Sequence, residues 1–181
     1  VTRTSEAREA ASAPARGSLG RYKTRLFASI VAGIVALDVV TKALVQRLMG
    51  LNEQREVIGD IVRLTYIRNP GAAFGLHLGE YSRPVFLVLA IVALIALFAM
   101  FWFTPERDRA RLTALALVCA GAIGNLVDRI LSPLGVVDFL DVGIGTVRWP
   151  VFNVADIAVT TGAILLAISL WREEKSDGDR A

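Results

Sequence analysis

Five ionisable side chains, Asp38, Lys42, Asp128, Arg129 and Asp156, lie inside or at the edge of apolar runs long enough to cross a bilayer. A charge near mid-bilayer costs between about 2.5 and 17 kcal/mol depending on the reference, so such residues persist where they pair, line water or do chemistry. Asp38 and Lys42 stand four apart, one above the other on a helix, as a membrane ion pair would. Asp128 and Arg129 point about 100° apart on a helix and can tie it to loops. Asn125, three residues before Asp128, can hydrogen-bond across helices, and Asn153 can cap a helix that starts beside it. Asp138 and Asp156 are left without an obvious local cation. Two carboxylates facing each other in a desolvated pocket cannot both ionise easily, so one is pushed to hold a proton. Such a pair can deprotonate water with its charged member and polarise a carbonyl with the other, which is peptide hydrolysis without metal or covalent nucleophile. Paired acids also carry protons or cations in transporters, so the residues alone leave both chemistries open.

The elements that must position these groups are membrane helices. The chain has 181 residues, 54% of them hydrophobic, and a mean hydropathy of +0.53, too apolar for a soluble domain of this size to cover. Four apolar runs, at about residues 26–45, 84–103, 112–131 and 152–171, each come close to the ~20 residues that span ~30 Å of hydrocarbon. The expected fold class is an all-α membrane protein of four transmembrane helices with a small extracytoplasmic β-sheet and loop subdomain. Residues 1–20 read as a disordered cytoplasmic tail, 21–175 as one membrane domain with outer loops 46–83 and 132–151, and 176–181 as a second cytoplasmic tail. Arg21, Lys23 and Arg25, then Arg107, Arg109 and Arg111, then Arg172 and Lys175 all flank one face, which the positive-inside rule makes cytoplasmic. Five arginines in the 46–83 loop oppose this weakly, and acidic neighbours accompany them. The run from Val57 to Ile67 is rich in β-branched and aromatic residues, as a strand or two lying on the membrane would be, and the segment around Gly143-Ile144-Gly145 suits a hairpin. At 1.5 Å per residue Asp38, Lys42, Asn125, Asp128, Arg129, Asn153 and Asp156 all converge towards the outer leaflet, with Asp138 in the hairpin above them.

Other chemistries have little to work with. The single cysteine, Cys119, sits among apolar neighbours as a small buried hydrophobe, and the single histidine, His77, has no second His or Cys to build a metal site with. No metal or other cofactor is expected, and a net charge of only +3, clumped in loops, argues against a nucleic-acid partner. Ser29, Ser82, Ser132 and Ser169 have no nearby histidine. Gly121 and Gly124 with their alanines suit close helix packing, while Gly71 to Gly75 after Asn69-Pro70 gives turn chemistry where backbone must approach closely.

Five segments in order, Asp38-Val-Val-Thr-Lys42, Asn69-Pro-Gly-Ala-Ala-Phe-Gly75, Gly121-Ala-Ile-Gly-Asn-Leu-Val-Asp-Arg129, Val136-Val-Asp-Phe139 and Phe152-Asn-Val-Ala-Asp156, closely resemble lipoprotein signal peptidase (signal peptidase II) over about residues 26–171. The resemblance implies a bacterial aspartyl endopeptidase of the inner membrane, which removes signal peptides from diacylglyceryl-modified prolipoproteins just before the lipidated cysteine. It implies Asp138 and Asp156 as the catalytic pair and gives Asp128 a structural part. By the same resemblance Asn69, Asn125, Arg129 and Asn153 position substrate or dyad, Asp38 and Lys42 support the site, Gly71 belongs to a substrate-facing loop, and membrane lipids and the inhibitor globomycin are expected partners. Two positions depart from the pattern: Pro70 follows Asn69, and Ala122 replaces a glycine. Against that resemblance the transporter reading is weak, since the acids cluster at one depth and no internal repeat is evident.

Overall fold

The computed structural model describes residues 16–71 and 79–178, with side chains over 21–71 and 79–175. The expectations for residues 1–15, for His77 and for the segment from Ala72 to Gly75 fall outside the described residues.

Four helices carry the chain: α1 (Arg16–Leu48), α2 (Ser82–Phe103), α3 (Arg109–Leu131) and α4 (Val154–Gly178). All four are long and apolar enough to cross a membrane. Their ends differ from the apolar runs for local reasons. α1 begins at Arg16, so residues 16–20, assigned to the tail by composition, are helical. A helix already nucleated by its apolar stretch extends at one hydrogen bond per residue, and polarity does not oppose that. α2 follows a 3₁₀ turn, Gly79–Tyr81, and places Pro84 in its first turn, where a missing N–H leaves no helix bond unmade. α3 starts at Arg109 because Asp108 caps it, accepting from the Arg111 amide at 3.0 Å. α4 starts at Val154 because Phe152 is still bonded to a strand and Asn153 is the cap.

α3 is the central helix. Leu112, Ala114, Leu115, Ala116, Cys119 and Ala120 are all fully buried in it, a helix hydrophobic enough all round to be enclosed. Small residues let α4 approach: a Cβ on Gly121 would meet the Ala155 carbonyl, and one on Gly162 would meet Val118 and the Ala114 carbonyl. α2 instead exposes Val88, Leu89, Val92, Ile95 and Phe98, as a lipid-facing helix does. Where the helices end, basic side chains of neighbours take the orphan carbonyls. Lys23 of α1 donates to the carbonyls of Trp102 and Thr104 at the end of α2, and Arg83 of α2 donates to those of Arg129 and Ile130 at the end of α3.

The two outer loops meet in one antiparallel sheet of order β1-β2-β3-β4: β1 (Gln54–Ile58), β2 (Val62–Asn69), β3 (Val136–Ile144) and β4 (Val147–Arg148). The strand-forming runs were expected; their joining through β2 and β3 was not, since the pairing Asn69↔Val136 to Val62↔Val142 is long-range. Thr65 donates to Asp141 at 2.9 Å, and Arg148 donates to the other Asp141 oxygen at 2.5 Å. This buried acid therefore ties β2, β3 and β4 together. Val137 and Phe139 on β3 pack with Val45 and Met49 at the end of α1 and with Tyr66 of β2, so the sheet is anchored on the helix ends.

Candidate active site

The start of α4 organises the site. Asn153 and Asp156 form a reciprocal cap: the Asp156 amide donates to Asn153 Oδ1 at 2.9 Å, and the Asn153 amide donates to Asp156 Oδ2 at 3.1 Å. A further first-turn amide, that of Ala155, donates to Asp38 Oδ1 on α1 at 2.9 Å. Asp38 is thus a cap supplied from another helix as well as half of an ion pair, a role its i,i+4 spacing with Lys42 did not reveal.

Lys42 is buried and lies 2.7 Å from Asp38 and 2.8 Å from Asp128, with a third contact to Asn125 Oδ1 at 3.2 Å. An ammonium only donates, so Asn125 must present its oxygen to Lys42 and its amide hydrogens elsewhere. That orientation sends Asn125 Nδ2 to Asp156 Oδ1 at 2.8 Å. Asp128, besides Lys42, accepts from the Val137 amide at 3.2 Å and so fixes the root of β3. Gly124 leaves room for the Asp38 carboxylate, which a side chain there would strike.

Asp138, one residue along β3, is almost wholly buried and accepts two amide hydrogen bonds: from Asn153 Nδ2 at 2.7 Å and from Asn69 Nδ2 at 3.0 Å. Asn69 Oδ1 in turn accepts from the Gly71 amide at 3.0 Å, an Asx turn that sets the angle at which the chain leaves β2. Burial pushes the Asp138 carboxyl up to about 7, and the Asp156 charge adds to the rise against the opposing asparagine bonds and Lys42. Asn153 touches both acids, one by its side chain and one by its backbone, so the two carboxylates share a single holder.

Arg129 donates to the carbonyls of Asn125 at 3.1 Å and Gly71 at 3.0 Å, which ties α3 to the chain beyond Asn69. All ten residues singled out from the sequence, Asp38, Lys42, Asn69, Gly71, Asn125, Asp128, Arg129, Asp138, Asn153 and Asp156, are joined in one hydrogen-bond and ion-pair network. The network opens on a cavity of about 700 Å³ that runs between β2, β3, α3 and α4. Its walls include Ile67, Trp149, Phe152, Val159 and Thr160, none of them assigned a place in the site from the sequence, although Phe152 opens one of the motifs. Val159 and Thr160 had a readable signal, being three and four residues beyond Asp156 on one helix face; Ile67 and Trp149 reach the cavity only through the strand pairing. Among the described residues no group of three or more His, Cys, Asp or Glu side chains is arranged to hold a metal ion.

Comparison with known proteins agrees along the whole bundle. A family model described as signal peptidase (SPase) II matches residues 30–172. The lipoprotein signal peptidase of Geobacter sulfurreducens is 42% identical over 153 residues, covering 83% of this chain and 94% of its own. That of Desulforapulum autotrophicum is 44% identical over 136 residues, covering 73% of this chain and 83% of its own. A solved bacterial membrane enzyme, determined by the in meso method at 2.3 Å resolution, superposes with a TM-score of 0.76 at 35% identity, covering 83% of this chain and 90% of that one. A second, at 1.9 Å resolution, gives 0.71 at 36% identity, over 80% and 91%. This multi-pass membrane chain therefore belongs to the signal peptidase II family of aspartic-type lipoprotein signal peptidases.

Proposed function

We propose that the chain cuts diacylglyceryl-modified prolipoproteins just before the lipidated cysteine, with Asp138 and Asp156 as the catalytic pair. The observation that carries this reading is that both carboxylates line the cavity and are held by neutral amides, of Asn69, Asn125 and Asn153. Amides orient a carboxyl without fixing its charge, which leaves the pair free to exchange a proton.

The two acids divide the work by environment. Asp156 accepts two N–H bonds at the N-terminus of α4, which aim its carboxylate, and it takes a proton from the attacking water. Asp138, whose carboxyl is pushed up to about 7, starts protonated and donates to the scissile carbonyl oxygen. Water oxygen bonds to the carbonyl carbon; the tetrahedral intermediate then loses its C–N bond as Asp156 returns the proton to the leaving amine, and Asp138 recovers its own. Asn153, Asn125 and Asn69 hold the acids, Arg129 and Gly71 set the chain at the cavity rim, and Asp38, Lys42 and Asp128 brace α1, α3 and β3 against α4.

Positive-inside counting supports cytoplasmic termini, which sets the dyad near the outer leaflet of the bacterial inner membrane. There a substrate confined by acyl chains and an apolar signal helix presents its cleavage site. The apolar walls at Ile67, Trp149, Phe152 and Val159 suit such a substrate, as does globomycin as a competing occupant, and membrane lipids surround the bundle. The test is product mass after incubating purified protein with lipidated and unlipidated prolipoprotein. A cut immediately before the cysteine, in the lipidated form, supports the proposal; cutting elsewhere, or no preference for the lipid, contradicts it.

A further inference from the structure

One polar side chain on the cavity wall stands outside the hydrogen-bond network. Asn69, Asn125, Arg129, Asp138 and Asp156 line the cavity and are bonded to one another or to backbone. Thr160 lines it too, yet its hydroxyl bonds to nothing among the described residues. A helical threonine can return its hydroxyl to the carbonyl four residues back, as Thr41 does to Leu37 at 2.8 Å and Thr104 to Met100 at 2.7 Å. Thr160 does not, so it keeps a free donor in the wall of the cavity.

Its place follows from the helix. Asp156, Val159 and Thr160 are three and four residues apart and share one face of α4. Val159 closes the gap between α3 and α4, since a Cβ on Gly121 would strike its Cγ2 and the Ala155 carbonyl. Thr160, beside it, is exposed. A chain lying at the two acids therefore cannot continue between the helices; it passes along α4 over Thr160. Four helical residues rise about 6 Å, and an extended peptide repeats its carbonyl direction every second residue, about 6.6 Å. A carbonyl held at Asp138 and Asp156 thus has a like-oriented neighbour, two residues away, at the height of Thr160. The residues before the cut are the ones that run on into an apolar signal helix, and α4 runs from Asp156 through Thr160 into its own apolar stretch, Gly162-Ala-Ile-Leu-Leu-Ala-Ile168. The neighbour is then the carbonyl two residues ahead of the scissile one.

We propose that Thr160 is a positioning residue for substrate: its hydroxyl donates to the backbone carbonyl of the third residue before the lipidated cysteine and holds the extended peptide in register with Asp138 and Asp156. The inference rests on the peptidase reading of the site. It gives the cavity a polar contact beyond the two acids, made to the backbone and so indifferent to the side chains of the substrate.

The test measures kcat/KM and melting of wild type, Thr160→Val and Thr160→Ser in detergent on three synthetic diacylglyceryl-modified prolipopeptides. One is all-amide, one carries a thioamide, whose sulfur accepts poorly, at the third residue before the cysteine, and one has both glyceryl esters replaced by ethers. The expected result is a kcat/KM about 3–10-fold lower for Thr160→Val on the all-amide substrate, the scale of one neutral hydrogen bond, with the melt unchanged and activity restored in Thr160→Ser. That loss should vanish on the thioamide substrate and persist on the ether lipid. Equal kcat/KM for wild type and Thr160→Val overturns the proposal, and so does a serine that fails to restore activity. A loss that vanishes on the ether lipid and not on the thioamide overturns it too, because the hydroxyl then serves an acyl ester. Wild type that leaves all three substrates uncut overturns the peptidase reading itself, and this inference with it.

Discussion

Two pairs of acids, each with one buried and one half-buried member, lie side by side in this molecule and are treated in opposite ways. Asp38 and Asp128 flank the Lys42 ammonium at 2.7 and 2.8 Å, each in an ion pair with it. Asp138 and Asp156 flank the amides of Asn153 and its neighbours, and burial leaves Asp138 pushed up to about 7. The same residue type is held by a cation in one pair and by amides in the other, and the proposed proton transfer falls to the second. The contact between the regions is Asn125, whose oxygen faces Lys42 and whose nitrogen faces Asp156.

The contrast breaks most severely at Lys42. Lys42→Met leaves two carboxylates without their cation in a buried setting, a loss of about 3–5 kcal/mol, and thermal melts in detergent should show it as a sharply lowered midpoint. A second effect comes from pH. The Asp138 carboxyl rises from 3.8 to about 7 on folding, so between those values the native protein keeps a proton that the unfolded chain has released. Stability is then greatest at the acid end of that window and falls as pH rises towards 7. Melts across the window should slope downward for wild type and flatten for Asp138→Asn, the reverse of what a salt-bridged acid gives. Asn153→Ala removes a helix cap, worth about 1 kcal/mol, yet should lower turnover far more than the melt, because Asp138 loses its 2.7 Å amide bond and Asn125, which holds Asp156, loses a partner. Asn69→Ala should be mildest in stability, about 1 kcal/mol or less for one hydrogen bond, with a several-fold fall in kcat as Asp138 loses half its restraint.

Much of this was legible in the residues, and the reasons differ by element. The four helices follow from hydropathy and length, which are local properties. The start of α4 was readable too, since Asn153 and Asp156 have capping spacing. Lys42 bridging to Asp128 was not, because 86 residues of chain separate them in sequence and only the packing of α1 on α3 brings them together. The same holds for Asp38 capping α4 and for Asn69 reaching Asp138 through the β2–β3 register. Asp141 was overlooked for a different reason: an acid in a β-rich run reads as solvent-facing, and the arginine and threonine that bury it lie on other strands. The polar start of α1 and end of α4 show the converse, sequence that is helical because an apolar neighbour has already nucleated the helix.

The most direct measurement compares turnover and melting of Asp138→Asn and Asp156→Asn with wild type, using a diacylglyceryl-modified prolipoprotein in detergent. Both variants should melt no lower than wild type while turnover drops by at least about 10²-fold, the scale of acid–base catalysis. A variant that keeps its melting point and cuts at near wild-type rate would contradict the account, because its aspartate would then be no more than the ion-paired acids beside Lys42.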